Sequence, residues 1–271
     1  MLLNVRGHDA YCYTGGKPFD ATLPVAVFIH GAQNDHSVWI LQTRYFAHHG
    51  YGVLAVDLPG HGRSKGAPLQ TVEAMADWLL ALLDATGVQS AVLIGHSMGS
   101  LIALETAFKA KERCRKLGLV GTAYPMKVSD VLLNAAKNEE QKAIDMVNIW
   151  EHTSIAHKPS CPSPGFYVMG STQRLMQHIS RQNPAQVFYT DFSACNAYTN
   201  GETAAKSLSC PVLLLLGKRD LMTPPKAAAA LIDAIPQCRV VLIDNCGHAL
   251  MAEQPDAVLD TLFTFAGQDT F

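Results

Sequence analysis

The chain lacks any uninterrupted apolar run long enough to cross a membrane. Its opening stretch, Met1–Asp9, has no apolar segment of signal-peptide length. It also lacks a basic block: 21 Lys and Arg stand against 23 Asp and Glu, a formal net charge of -2. These absences argue against a nucleic-acid partner and against a membrane surface. The expectation is a soluble, cytoplasmic protein. Cysteine is present but unpatterned, with seven residues at 12, 114, 161, 195, 210, 238 and 246 and no C-x-x-C spacing. A disulfide framework or zinc site is not expected, and the chain is read as needing no metal and no cofactor. Cys246, two residues before His248, is read as a thiol packed in a strand-end loop rather than a nucleophile. Charged residues are few, 16% against 48% hydrophobic, which suits one large α/β domain, with or without an insertion, over 271 residues.

What is present is an alternation of apolar strands and helical segments. Leu2–Val5 and Ala10–Tyr13 read as short strands around a turn. Val25–Ile29, Gly52–Asp57, Ala91–Ile94, Leu117–Val120, Val212–Leu216 and Val240–Ile243 are further strands. Val38–His49, Val72–Ala85, Ser97–Ala110, Pro225–Ile235 and Pro255–Phe265 have helical character. Strands without polar alternation, separated by helices, indicate a parallel sheet covered on both faces. Between Thr122 and Ser209 the rhythm stops. Val128–Ala136, Glu139–His152, Tyr167–Ser180 and Pro184–Ala197 read as helices, interrupted by Pro159, Pro162, Pro164 and Gly165. A helical block inserted there is read as a cap, since ligands of open α/β sheets bind at the carboxyl ends of strands. Residues 1–121 and 210–271 then form the core and 122–209 the cap. Within the cap, Trp150, Phe166, Tyr167, Met169, Phe188 and Tyr189 are read first as its own core and second as pocket lining.

One motif carries chemistry. Gly95-His96-Ser97-Met98-Gly99 follows the strand Ala91–Ile94 and opens a helix. That G-x-S-x-G elbow exposes a serine hydroxyl on a sharp turn. Serine needs a base to take its proton, and the base needs an acid to orient it. On such a scaffold both follow later strands, in the order Ser, Asp or Glu, His. The strand Val212–Leu216 runs into Gly217-Lys218-Arg219-Asp220, and Val240–Ile243 runs on to Gly247-His248. Of 11 histidines only His248 follows the last strand. Asp244 is too near His248 to come from a separate strand end, and Asp57, before a Pro-Gly-His-Gly turn, suits a loop-anchoring hydrogen bond. Ser97, Asp220 and His248 are therefore the expected catalytic residues. The oxyanion donors expected are the backbone N–H groups of Met98 and of Ala32, with Gln33 as the fallback.

With these residues assembled, the chain resembles the α/β-hydrolase superfamily, most closely its capped serine hydrolases, the carboxylesterases and lactonases. The matching stretches are Phe28-Ile29-His30-Gly31, Asp57-Leu58-Pro59-Gly60-His61-Gly62-Arg63-Ser64, the elbow, Gly217-Lys218-Arg219-Asp220 and Gly247-His248. The resemblance implies an α/β-hydrolase fold: a mostly parallel sheet of about eight strands, helices on both faces and a helical cap insertion. It implies cleavage of a small carboxylic ester, lactone or thioester through an acyl-enzyme, by a monomer or homodimer. Ser97 argues against the relatives with a nucleophilic aspartate. Ala249 argues against the lyases, which carry lysine there. His96 before the serine favours esters over carbon–carbon bonds. Two alternatives stay open: a carbon–carbon bond hydrolase using the same triad, and a slow-turnover ligand receptor.

Overall fold

The computed structural model describes residues 1–153 and 168–268. Among the described residues, eight strands form one sheet: β1 (Leu2–Val5), β2 (His8–Tyr13), β3 (Val25–Ile29), β4 (Gly52–Val56), β5 (Ala91–His96), β6 (Cys114–Val120), β7 (Val212–Gly217) and β8 (Cys238–Ile243). Their order is β1-β2-β4-β3-β5-β6-β7-β8. β1 pairs antiparallel with β2 and β2 with β4, while every pair from β4 to β8 is parallel. This is the α/β-hydrolase sheet.

The unbroken apolar strands follow from burial on both faces. Side chains alternate across a strand, so each sends half its residues to each side. Val25, Val27 and Ile29 join one core cluster with Leu93, Leu119, Leu214 and Leu216. Ala26 and Phe28 join the other with Ile94, Val120, Leu213 and Leu215. The first cluster is closed by α2 (Val72–Ala85) and α3 (Met98–Lys109). The second is closed by α1 (Ile40–His48) and α11 (Pro255–Gly267). Thr71 caps α2 by accepting from Ala74 N.

Between β6 and β7 lie α4 (Asp130–Asn138), α5 (Glu140–Trp150), α6 (Val168–Gln182), α7 (Val187–Ala197) and α8 (Gly201–Lys206). Leu132, Ile144, Val147, Met176, Phe188 and Phe192 give α4 to α7 a cluster of their own. The end of the segment packs elsewhere: Cys195, Tyr198, Ala204, Ala205 and Leu208 belong to the first sheet cluster. The remaining helices are α9 (Ala229–Ala234) and the short α10 (Leu250–Glu253) after β8. Among the described residues, no helix is long and apolar enough to cross a membrane.

Candidate active site

Ser97 connects β5 to α3 at φ 52°, ψ -120°, a conformation that a residue with a side chain rarely adopts. Surroundings hold it there. Its N–H donates to Val120 O at 2.9 Å, and its carbonyl accepts from Ser100 N at 2.8 Å and Ser100 Oγ at 2.5 Å. The two flanking glycines are sterically required. A Cβ on Gly95 would lie 2.0 Å from Gly99 O, and one on Gly99 would lie 2.4 Å from Ile29 O. Strand, helix and the loop after β3 thus meet at backbone contact around the hydroxyl.

Asp220 follows β7 and His248 follows β8, and the parallel pairing of these strands puts their ends together. His248 Nδ1 donates to Asp220 Oδ2 at 2.8 Å. Asp220 Oδ1 accepts from the N–H groups of Met222 and Thr223, both at 2.8 Å, and the Thr223 hydroxyl lies 2.8 Å from Oδ2. Burial alone would raise the Asp220 pKa. The facing imidazole and these donors outweigh it and hold the carboxyl at about 2. Burial alone would push His248 down, but the Asp220 charge and hydrogen bond leave it above its usual value. With Nδ1 committed to the carboxylate, Nε2 is the ring nitrogen left to exchange a proton with another group.

Several partners of this pair were not foreseen. Glu151, just past α5, accepts through its main-chain oxygen from His248 N at 2.8 Å and Ala249 N at 3.0 Å. Gly247 has no room for a side chain, since a Cβ there would sit 2.6 Å from that oxygen. Glu253 accepts from Gly247 N at 2.5 Å and from Thr153 N at 2.8 Å, joining the loop to the end of the inserted helices. His96, the residue before Ser97 in the elbow, lies with its ring 4.7 Å from that of His248 and donates from Nε2 to His248 O at 2.8 Å. Burial and the neighbouring imidazole lower it to about 3, so it stays neutral. No local sequence signal marks Glu151 or Glu253, whose partners are distant in the chain or lie in a loop.

The loop after β3 is tied down separately. His30 Nδ1 donates to Gly31 O at 2.8 Å, and its Nε2 accepts from Leu58 N at 3.2 Å. Gln33 sits at φ 54° and its N–H donates to Asp191 Oδ2 of α7 at 2.9 Å. That N–H is therefore committed to the carboxylate. Ala32, Ser97 and His248 line one cavity of 180 Å³, with Val128, Trp150 and Phe192 of the insertion. Met98 is buried in the first turn of α3. Of the insertion aromatics singled out in the sequence, Trp150 reaches the cavity, whereas Phe188 and Tyr189 pack in the insertion core. Phe166 and Tyr167 lie outside the described residues.

Asp35, His36 and Asp57 could together offer a cation three ligand atoms. Their oxygens already serve the loops. Asp57 Oδ1 accepts from His36 N and Nδ1, Asp57 Oδ2 from Arg63 N, and Asp35 Oδ1 from Ser37 N. This is the anchoring role that the sequence suggests for Asp57.

Comparison with known proteins agrees with this architecture. The dihydrolipoyllysine-residue acetyltransferase component of the acetoin cleaving system of Cupriavidus necator is 33% identical over 124 residues, 44% of this chain, which spans 33% of that protein. The pimeloyl-[acyl-carrier protein] methyl ester esterase of Aromatoleum aromaticum is 29% identical over 249 residues, 86% of this chain and 94% of that protein. The esterase EaEST of Exiguobacterium antarcticum superposes with a TM-score of 0.84, covering 99% of both chains at 17% identity, a likeness of fold. The family model described as the alpha/beta hydrolase family matches residues 26–261, and the chain belongs to that family.

Proposed function

We propose that this hydrolase cleaves a small carboxylic ester, lactone or thioester through an acyl-enzyme on Ser97. The observation that carries the reading is the His248–Asp220 pair, bonded at 2.8 Å, with His248 opening onto the same cavity as the strained Ser97. His248 Nε2 takes the Ser97 proton as Oγ bonds to the substrate carbonyl carbon. The carbonyl oxygen becomes an oxyanion, held by the N–H groups of Ala32 and Met98. The carbon–oxygen (or carbon–sulfur) bond breaks, and His248 returns its proton to the leaving alcohol or thiol. A water molecule, deprotonated by His248, then attacks the acyl carbon and frees Ser97. Asp220 keeps the imidazole in the donating tautomer and stabilises its cation.

The segment 122–209 acts in this reading as a cap that sets substrate size. Val128, Trp150 and Phe192 on the cavity wall support that role. The relative named as a methyl ester esterase supports an ester substrate. Ser97→Ala is expected to lower the turnover of short acyl esters by roughly a million-fold and to abolish labelling by a fluorophosphonate probe. Near-normal turnover in that variant would refute the assignment.

A further inference from the structure

Three buried polar atoms beside the catalytic crevice have no hydrogen-bond partner among the described residues: Asn34 Oδ1, His96 Nδ1 and Glu151 Oε1. Their residues are 7%, 3% and 4% exposed. Buried polar groups are almost always bonded, so three orphans in one place call for an explanation. All three residues border the narrow space that also touches Ala32, Ser97 and His248. All three also border a separate chamber of 410 Å³. It shares no lining residue with the cavity that Ala32, Ser97 and His248 line with Val128, Trp150 and Phe192. Its walls are mainly aliphatic, with Val38, Ile40, Leu41, Leu175 and Met251 among them. The orphans therefore stand at a polar threshold between the nucleophile and an apolar room.

The chemistry of the threshold selects its guest. His96 Nε2 is spent on His248 O, so Nδ1 presents a lone pair. Asn34 Oδ1 is a second acceptor. Glu151 is surrounded by His152, whose Nδ1 lies 3.6 Å away but donates to Asn148 O, and by His248, Asp220 and Glu253. Burial lifts its carboxyl to about 8, so at neutral pH it is protonated and has an O–H to give. The site thus offers two acceptors and one donor, all uncharged. A hydroxyl group, which gives one hydrogen and accepts others, matches it. A carboxylate would face the two acceptors, and an ammonium would lose its hydration without a counter-charge.

We propose that Asn34, His96 and Glu151 form a subsite for a hydroxyl group on the acyl part of the substrate, close to the scissile carbonyl, and that the chamber behind them takes the aliphatic chain. The preferred substrates are then hydroxyacyl esters or thioesters of medium chain length. This rests on the serine-hydrolase reading and narrows it. The chamber falls within the ~300–1,000 Å³ typical of small-molecule sites, whereas the cavity at Ser97 is smaller.

The test compares kcat/KM for matched p-nitrophenyl esters: butanoyl, octanoyl and β-hydroxyoctanoyl. The hydroxylated ester is expected to be preferred over plain octanoyl by about tenfold or more. In Glu151→Leu that ratio falls towards one, and in Glu151→Gln, whose amide still donates, it is only reduced. In Leu175→Trp, which fills the chamber, the octanoyl-to-butanoyl ratio falls. Turnover of plain esters with no hydroxyl preference in the wild-type enzyme overturns the subsite and leaves the hydrolase reading standing. So does a preference that survives in Glu151→Leu. Failure to turn over any ester, with no probe label on Ser97, overturns the hydrolase reading and the subsite with it.

Discussion

His248 is pulled in two directions, and the balance has a measurable sign. Burial favours the neutral ring, and Asp220 at 2.8 Å favours the imidazolium more strongly. Glu151 adds to the second effect when it ionises, while His96, held at about 3, stays neutral beside it. A general base works in its neutral form, so a raised pKa moves the onset of activity to higher pH. The kcat/KM for an ester is therefore expected to rise with pH through a midpoint above the usual histidine value of 6.5. Asp220→Asn removes the charge and leaves burial less opposed. Its midpoint is expected to move down, and its rate to fall by roughly 10³–10⁴-fold because the amide no longer selects the working tautomer. An unchanged midpoint in Asp220→Asn would place the observed titration on another group.

At the scale of elements, the elbow depends on what is missing from two side chains. Gly99 packs its backbone against Ile29 O and His30 O, where a Cβ would sit at 2.4 and 2.6 Å. Neither neighbour can yield, since both are main-chain atoms at the end of a central strand. Gly99→Ala is expected to cost about 1–3 kcal/mol or more in denaturant unfolding and to reduce activity beyond that loss, because relief comes only by moving α3 and Ser97 with it. The elbow was legible in the sequence because its constraints are local: an apolar run, two glycines and a helical pattern within one stretch. The same held for α2, whose apolar spacing marks Val72–Ala85 in full. β6 begins earlier than its apolar run suggests, at Cys114, because Arg115 and Lys116 disguise its start. Lys116 nonetheless fits the strand by donating from Nζ to Phe265 O at 2.8 Å. The short α8 and α10 have too few residues to show a period. The hold of Glu151 on His248 was hidden for a different reason. It uses a main-chain oxygen, which any residue there would supply, so residue type carries no signal.

Across the whole molecule, the insertion and the sheet are joined at a point that also ties down the loop after β3. Asp191 of α7 is fully buried and accepts through Oδ2 from Gln33 N at 2.9 Å and from His61 Nε2 at 2.9 Å. The Gln33 side chain continues the tie, donating from Nε2 to Met176 O at 3.1 Å and to Ser180 Oγ at 2.7 Å on α6. One carboxylate thus holds α7, the loop after β4 and the positive-φ residue next to Ala32. Burial, the largest single effect, would lower the pKa of His61, but the Asp191 charge and hydrogen bond, with the Pro59 O bond and the Asp57 charge, together raise it. A histidine raised on folding stabilises the protein fully below its unfolded pKa, and that contribution fades as pH rises through the folded value. Asp191→Leu removes both hydrogen bonds and leaves the Gln33 N–H and His61 Nε2 buried without a partner, while His61 Nδ1 keeps Pro59 O at 3.1 Å; it is expected to destabilise by about 3–5 kcal/mol at slightly acid pH and by less in alkali. Asp191→Asn keeps an acceptor for Gln33 N and should lose less. If the tie also sets the loop whose Ala32 N–H is proposed as an oxyanion donor, kcat falls in both variants by more than KM rises, in the order Leu before Asn. Hydrogen exchange over residues 168–197 should speed up in parallel, because α6 and α7 lose a buried anchor to the core. Equal kcat in Asp191→Leu and wild type, alongside faster exchange, would confine Asp191 to holding the two layers together.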